Sequence, residues 1–150
     1  MQPTSQLLCR TWLVWILMGT VPLLSQDPSG PPRPPSVVLP ATARYVTVAE
    51  AQELLNQGKL GGIVDVRTPD EVSGKNHLPG ARYVNLFVAN FDESIQRLEL
   101  DRTRPCLVYC ALGGRAARAA SRLDALGFKE VLILQGGFEA WRRQGGELGQ

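Results

Sequence analysis

Short, continuously apolar runs alternate along the chain with stretches in which apolar residues return every three or four positions. Ile63-Val64-Asp65-Val66 is a β-branched run bounded by Gly61-Gly62 and Thr68-Pro69, which predicts a buried strand. Residues 105–109 and 131–134 predict two more, and residues 81–86 a weaker one. Between them lie helical patterns. Thr47-Val48-Ala49-Glu50 has the spacing of a capping box, in which the Thr47 hydroxyl and the Glu50 carboxylate satisfy helix-start donors, and Gly58 ends that helix. Residues 92–100 place Ile95 and Leu98 at helical spacing behind acidic residues that suit the helix dipole. Residues 114–126 are a strong helix, rich in alanine, with Gly127 where a C-terminal cap is expected. A last helix covers residues 138–143 after Gly136-Gly137. Strands alternating with helices predict an α/β fold with a mostly parallel sheet covered on both faces.

The first forty residues follow neither pattern. From Thr11 to Gln26 no residue is charged, and Trp12 to Met18 is apolar throughout, with Arg10 just upstream. A basic edge before a short apolar run is the layout of an export signal. Pro22 and Asp27 hold that run below the roughly 18 to 20 residues that a spanning helix requires. Residues 1–25 are therefore expected to be a signal peptide, with an uncleaved membrane anchor as the alternative, and the protein is expected to be exported, periplasmic or secreted. Residues 26–40 contain Asp27-Pro28-Ser29-Gly30-Pro31-Pro32-Arg33-Pro34-Pro35, where proline removes backbone donors and fixes φ. That stretch reads as an extended linker, and residues 41–150 as the domain.

Composition narrows the function classes. The chain has 150 residues, 44% hydrophobic and 20% charged, and 16 Lys+Arg against 14 Asp+Glu leave a net charge of +2. Such a balance lacks the basic stripe of a nucleic-acid binder. Three cysteines are too few for a disulfide-built scaffold. Without residues 1–40 the domain has about 110 residues, an ordinary size, and two cysteines, Cys106 and Cys110. Four residues apart on one strand, they are separated by about 13 Å, too far for a disulfide. Cys106 suits a strand interior, where free cysteine behaves as a small hydrophobe.

Cys110 is different. Ligands of open α/β sheets sit beyond the carboxyl ends of the strands, and there the chain reads Cys110-Ala111-Leu112-Gly113-Gly114-Arg115-Ala116 before entering a helix. Helix-start N–H groups and the positive end of the dipole favour thiolate over thiol. Gly113 and Gly114 let successive N–H groups converge into an anion-binding nest. Arg115 adds a permanent charge and a donor fork suited to anionic oxygens. The loop predicts a cysteine nucleophile at the base of a small anion cradle.

These pieces resemble the rhodanese family of sulfurtransferases. The matching residues are Val64-Asp65-Val66-Arg67 with Glu71, His77-Leu78-Pro79-Gly80-Ala81, the loop from Cys110 to Ala116, Gly127-Phe128, and Leu134-Gln135-Gly136-Gly137 with Trp141. The resemblance implies a five-stranded parallel sheet, the Cys110 loop as active site and a persulfide on Cys110 as intermediate. Ala111, Leu112, Gly113, Gly114 and Ala116 would then bind substrate, and Arg115 would act with Cys110 by holding the donor's anionic end. Thiosulfate or a related sulfane-sulfur compound is the expected donor, and a thiol or cyanide the acceptor, with an acceptor protein as a further partner. No metal or organic cofactor is required. Asn76 departs from the family, which commonly has glycine before the histidine, and this leaves the local turn open.

Loop length separates a rival chemistry. Cysteine-dependent phosphatases place arginine six positions after the cysteine, whereas here the sixth position is Ala116 and arginine comes at the fifth. The shorter ring suits a smaller group, which ranks sulfur transfer above phosphate chemistry. A second function class remains: a module without turnover that carries sulfur, senses redox state or binds a protein. His77 is expected in a structural turn, bonded to backbone or to Asp65. Asp65 and Arg67 are expected to pair, Trp141 to pack in the core, and Arg118 and Arg122 to share one helix face, either simply solvated or docking an anionic partner.

Overall fold

The computed structural model describes residues 37–149 except Lys75, so the expected signal segment and residues 26–36 of the linker lie outside the described residues. The sheet contains β1 (Ala43–Val46), β2 (Gly62–Asp65), β3 (Arg82–Tyr83), β4 (Cys106–Tyr109) and β5 (Val131–Leu134) in the order β1-β5-β4-β2-β3. All four neighbouring pairs are parallel. Helices α1 (Val48–Asn56), α2 (Phe91–Arg97) and α3 (Gly114–Ala125) lie between strands, α4 (Gly137–Arg143) follows β5, and a 3₁₀ turn covers Pro69–Glu71. Among the described residues no helix is long and apolar enough to cross a membrane.

Every residue of β4 and β5 is buried, because these strands are covered on both faces. Alternation sends Cys106, Val108, Val131 and Ile133 into one core with Phe91, Ile95 and the alanines of α3. Leu107, Tyr109, Leu132 and Leu134 enter a second core with Val48, Ala51, Phe138 and Trp141 from α1 and α4. The small side chains Ala116, Ala119 and Ala120 let α3 lie close to the sheet. That packing fixes where α3 begins, and therefore where the loop after β4 must close.

Three local expectations need correction. β1 was not predicted, because only Val46 of Ala-Arg-Tyr-Val is buried and its edge position leaves Tyr45 half in solvent. The strand expected over residues 81–86 shrinks to two, although the Val84 N–H still reaches the Asp65 carbonyl at 2.9 Å. At the start of α1 the Thr47 hydroxyl accepts from the Glu50 N–H at 3.2 Å, but the Glu50 carboxylate does not reach back. It pairs instead with Arg44 at 2.7 Å.

Candidate active site

Cys110 is the first residue beyond β4 and is only 2% exposed. Gly113 adopts φ +106°, a left-handed conformation that costs a glycine little, and its N–H donates to Cys110 Sγ at 3.1 Å. Cys110 lines a cavity of about 350 Å³ together with Ala111, Leu112, Gly114, Arg115 and Arg118. Leu112 is 72% exposed at the loop tip. Gly113 and Ala116 are buried and do not line the cavity, so Gly113 serves through its N–H and Ala116 through packing.

The opposite side of the loop is held by the β5–α4 junction. Phe138 N–H donates to the Cys110 carbonyl at 2.8 Å, and Glu139 N–H to the Ala111 carbonyl at 3.1 Å. These are first-turn donors of a helix, without partners in α4 itself. Gly137, at φ +59°, makes the approach possible, because a Cβ there would run into the carbonyls of Cys110 and Ala111. The Gly136-Gly137 pair is thus a seat for the cysteine loop.

Arg115 has a carboxylate partner within the chain. Its two terminal nitrogens both donate to Glu71, at 2.5 and 2.6 Å, while the residue lines the cavity beside Cys110. Glu71 also accepts from the Thr68 N–H and hydroxyl at 2.9 and 2.7 Å. The Arg115 hydrogen bonds, helped by those of Thr68, outweigh burial and lower the Glu71 carboxyl from 4.5 to about 2. Arg115 is in turn held more firmly in its charged form, first by Glu71 and also by the nearby Cys110 sulfur. The guanidinium therefore braces the loop while placing positive charge beside the sulfur.

Glu71 has its own support. Arg67 pairs with Asp65 at 2.6 Å, donates to the backbone carbonyls of Glu71 at 3.2 Å and Asn76 at 2.5 Å, and lies 4.2 Å over the Phe138 ring. Asn76 Nδ2 donates to the same Glu71 carbonyl at 3.2 Å. Its amide ties down the segment that carries Glu71. In the sequence, the signal for Glu71 is Thr68-Pro69-Asp70-Glu71, a short helix start with an acid at its third position.

The other residues singled out fall into place around this arrangement. His77 Nδ1 lies 2.9 Å from the Leu78 carbonyl and lines no part of the Cys110 cavity. Trp141 is buried. Cys106 is fully buried, and burial pushes its thiol up to about 12. Arg122 donates to Asp92 at 2.8 Å and covers the Phe91 ring. Among the described residues no group of three or more His, Cys, Asp or Glu side chains could hold a metal ion.

Residues 47–144, from the first helix cap through the end of α4, match the rhodanese-like domain family. The chain belongs to this family. It is 34% identical over 99 residues to the thiosulfate sulfurtransferase GlpE of Ectopseudomonas mendocina, covering 66% of this chain and 84% of that protein. It is 33% identical over 104 residues to the probable adenylyltransferase/sulfurtransferase MoeZ of Mycobacterium tuberculosis, covering 69% of this chain. The match spans only 26% of that longer relative. Among solved structures, a rhodanese-like domain protein from Staphylococcus aureus superposes with a TM-score of 0.56 at 26% identity, covering 70% of this chain and 95% of that one. The five-stranded parallel sheet is the rhodanese-like fold.

Proposed function

We propose that this protein is a sulfurtransferase that moves a sulfane sulfur from thiosulfate, or a related donor, to a thiol or cyanide through a persulfide on Cys110. One observation carries the reading: Cys110 lines a cavity while its Sγ accepts the Gly113 N–H beside the Arg115 guanidinium, directly before a helix. The similarity to GlpE, a protein named thiosulfate sulfurtransferase, supports the same donor.

The Cys110 thiolate attacks the outer sulfur of thiosulfate. A new sulfur–sulfur bond forms, the bond to the sulfonate sulfur breaks, and sulfite leaves with that electron pair. The persulfide anion then lies beside the Gly113 N–H and Arg115, which share its charge. A thiolate or cyanide attacks the terminal sulfur and releases the Cys110 thiolate unchanged. Charge balances in both steps, and no external reductant is consumed. Thiosulfate:cyanide turnover that disappears in Cys110→Ser supports this route, and full turnover in that variant contradicts it.

The proposal includes export. Its support is the uncharged run behind Arg10 and the proline-rich stretch after it. A mature N-terminus between residues 20 and 40 on material recovered outside the cytoplasm is the expected result.

A further inference from the structure

Three arginines follow one another along α3 at positions 115, 118 and 122, and two of them have partners. Arg115 is engaged by Glu71, and Arg122 by Asp92 and the Phe91 ring. Arg118 is exposed and forms no hydrogen bond or ion pair among the described residues, yet it lines the cavity that holds Cys110. It stands four positions after Gly114, and helical side chains slope toward the N-terminus. Its guanidinium is thereby carried back over the turn where the cysteine loop enters α3.

The charge around the cavity sharpens the point. Among the described residues, Arg115 and Arg118 are its two charged lining residues, and no carboxylate lines it. Glu71, on the far side of Arg115, compensates that guanidinium through two short hydrogen bonds. Arg118 has no such neighbour among the described residues. An anion entering the cavity therefore gains its largest uncompensated attraction from Arg118.

We infer that Arg118 is the anion anchor of this site: it binds the charged end of an anionic sulfur donor, the sulfonate of thiosulfate, and so turns the outer sulfur toward Cys110. The identity of the ligand rests on the sulfur-transfer reading above, whereas the anion site itself does not. Loop bracing and donor binding are divided between two arginines three positions apart, Arg115 for the first and Arg118 for the second. The solvated helix face expected of Arg118 and Arg122 is, at Arg118, part of the binding site.

Two alkylating reagents of similar size and different charge test this without turnover. In the full chain, modification of Cys110 by iodoacetate and by iodoacetamide is followed by peptide mass; the neutral reagent reports the sulfur's own reactivity and the integrity of the fold. Arg118→Gln is expected to lower the iodoacetate-to-iodoacetamide rate ratio about fivefold at low salt, as loss of one partly screened charge contact requires. Arg118→Lys should keep most of the ratio, and Arg122→Gln should leave it unchanged. An unchanged ratio in Arg118→Gln overturns the assignment. With thiosulfate as substrate, the same variant should raise KM about tenfold at nearly constant kcat. If wild-type protein takes no sulfur from thiosulfate but the ratio still falls in Arg118→Gln, the anion anchor stands and the sulfur-transfer reading fails.

Discussion

Glu71 and Arg115, 44 positions apart, meet in a two-pronged ion pair at 2.5 and 2.6 Å that closes the wall of the Cys110 loop. The carboxylate is itself held by Thr68, and its backbone by Arg67 and Asn76. Loop geometry is thus tied through this ion pair to the segment that follows β2. Glu71→Gln should lower kcat/KM for sulfur transfer about tenfold and stability by about 1 kcal/mol, since one bidentate, partly exposed pair is lost. Steady-state kinetics and urea denaturation check the two effects separately. If Glu71→Gln behaves as wild type in both, the brace has no role.

The same pair sets an acid limit. Glu71 titrates near 2 in the folded protein against an ordinary value of 4.5, so its contribution is complete above about pH 4.5 and is lost as the pH falls toward 2. The stability difference between wild type and Glu71→Gln should therefore be constant above pH 5 and shrink steadily below it. Denaturant unfolding at a series of pH values gives that difference directly.

Gly137 should tolerate almost nothing. In Gly137→Ala a methyl group would meet the Cys110 and Ala111 carbonyls, at a φ that favours glycine. A loss of about 2 to 3 kcal/mol is expected, together with displacement of the loop and slower alkylation of Cys110. Gly145→Ala is the comparison: its φ is similarly positive but its Cβ would meet open space, so only the backbone cost should appear.

The two domain cysteines should divide cleanly. Cys106 is fully buried and its thiol is pushed up to about 12, so it should resist iodoacetamide in the native protein while Cys110, which opens on the cavity, reacts. Peptide mass after brief labelling distinguishes them. Cys106→Ala should cost about 1 to 2 kcal/mol of stability through the small cavity it leaves, with sulfur transfer within twofold of wild type.

Legibility in the sequence followed burial. β2, β4, β5 and α3 could be read because their residues face cores on both sides of the sheet, or one core at helical spacing, so the apolar pattern is continuous. β1 escaped because it lies at the sheet edge, where three of its four residues keep contact with solvent. The Thr47 cap was half legible: the hydroxyl contact is local, but the Glu50 carboxylate is captured by Arg44, which joins it across the start of the helix. At the site, Cys110 and its glycines announced themselves by position. The partner of Arg115 did not, because Glu71 arrives from another strand end and charge pattern along the chain carries no sign of the encounter. Arg118 was visible as part of a basic helix face, but its isolation became clear only once Arg115 and Arg122 were seen to be occupied.

Intact mass before and after incubation with thiosulfate tests the central claim most directly. The wild-type protein should gain the mass of one sulfur, the gain should disappear on addition of cyanide with release of thiocyanate, and Cys110→Ser should never acquire it. A wild-type chain with a reduced, alkylatable Cys110 that gains no sulfur from thiosulfate or from another sulfane donor would contradict the account and favour a module without turnover.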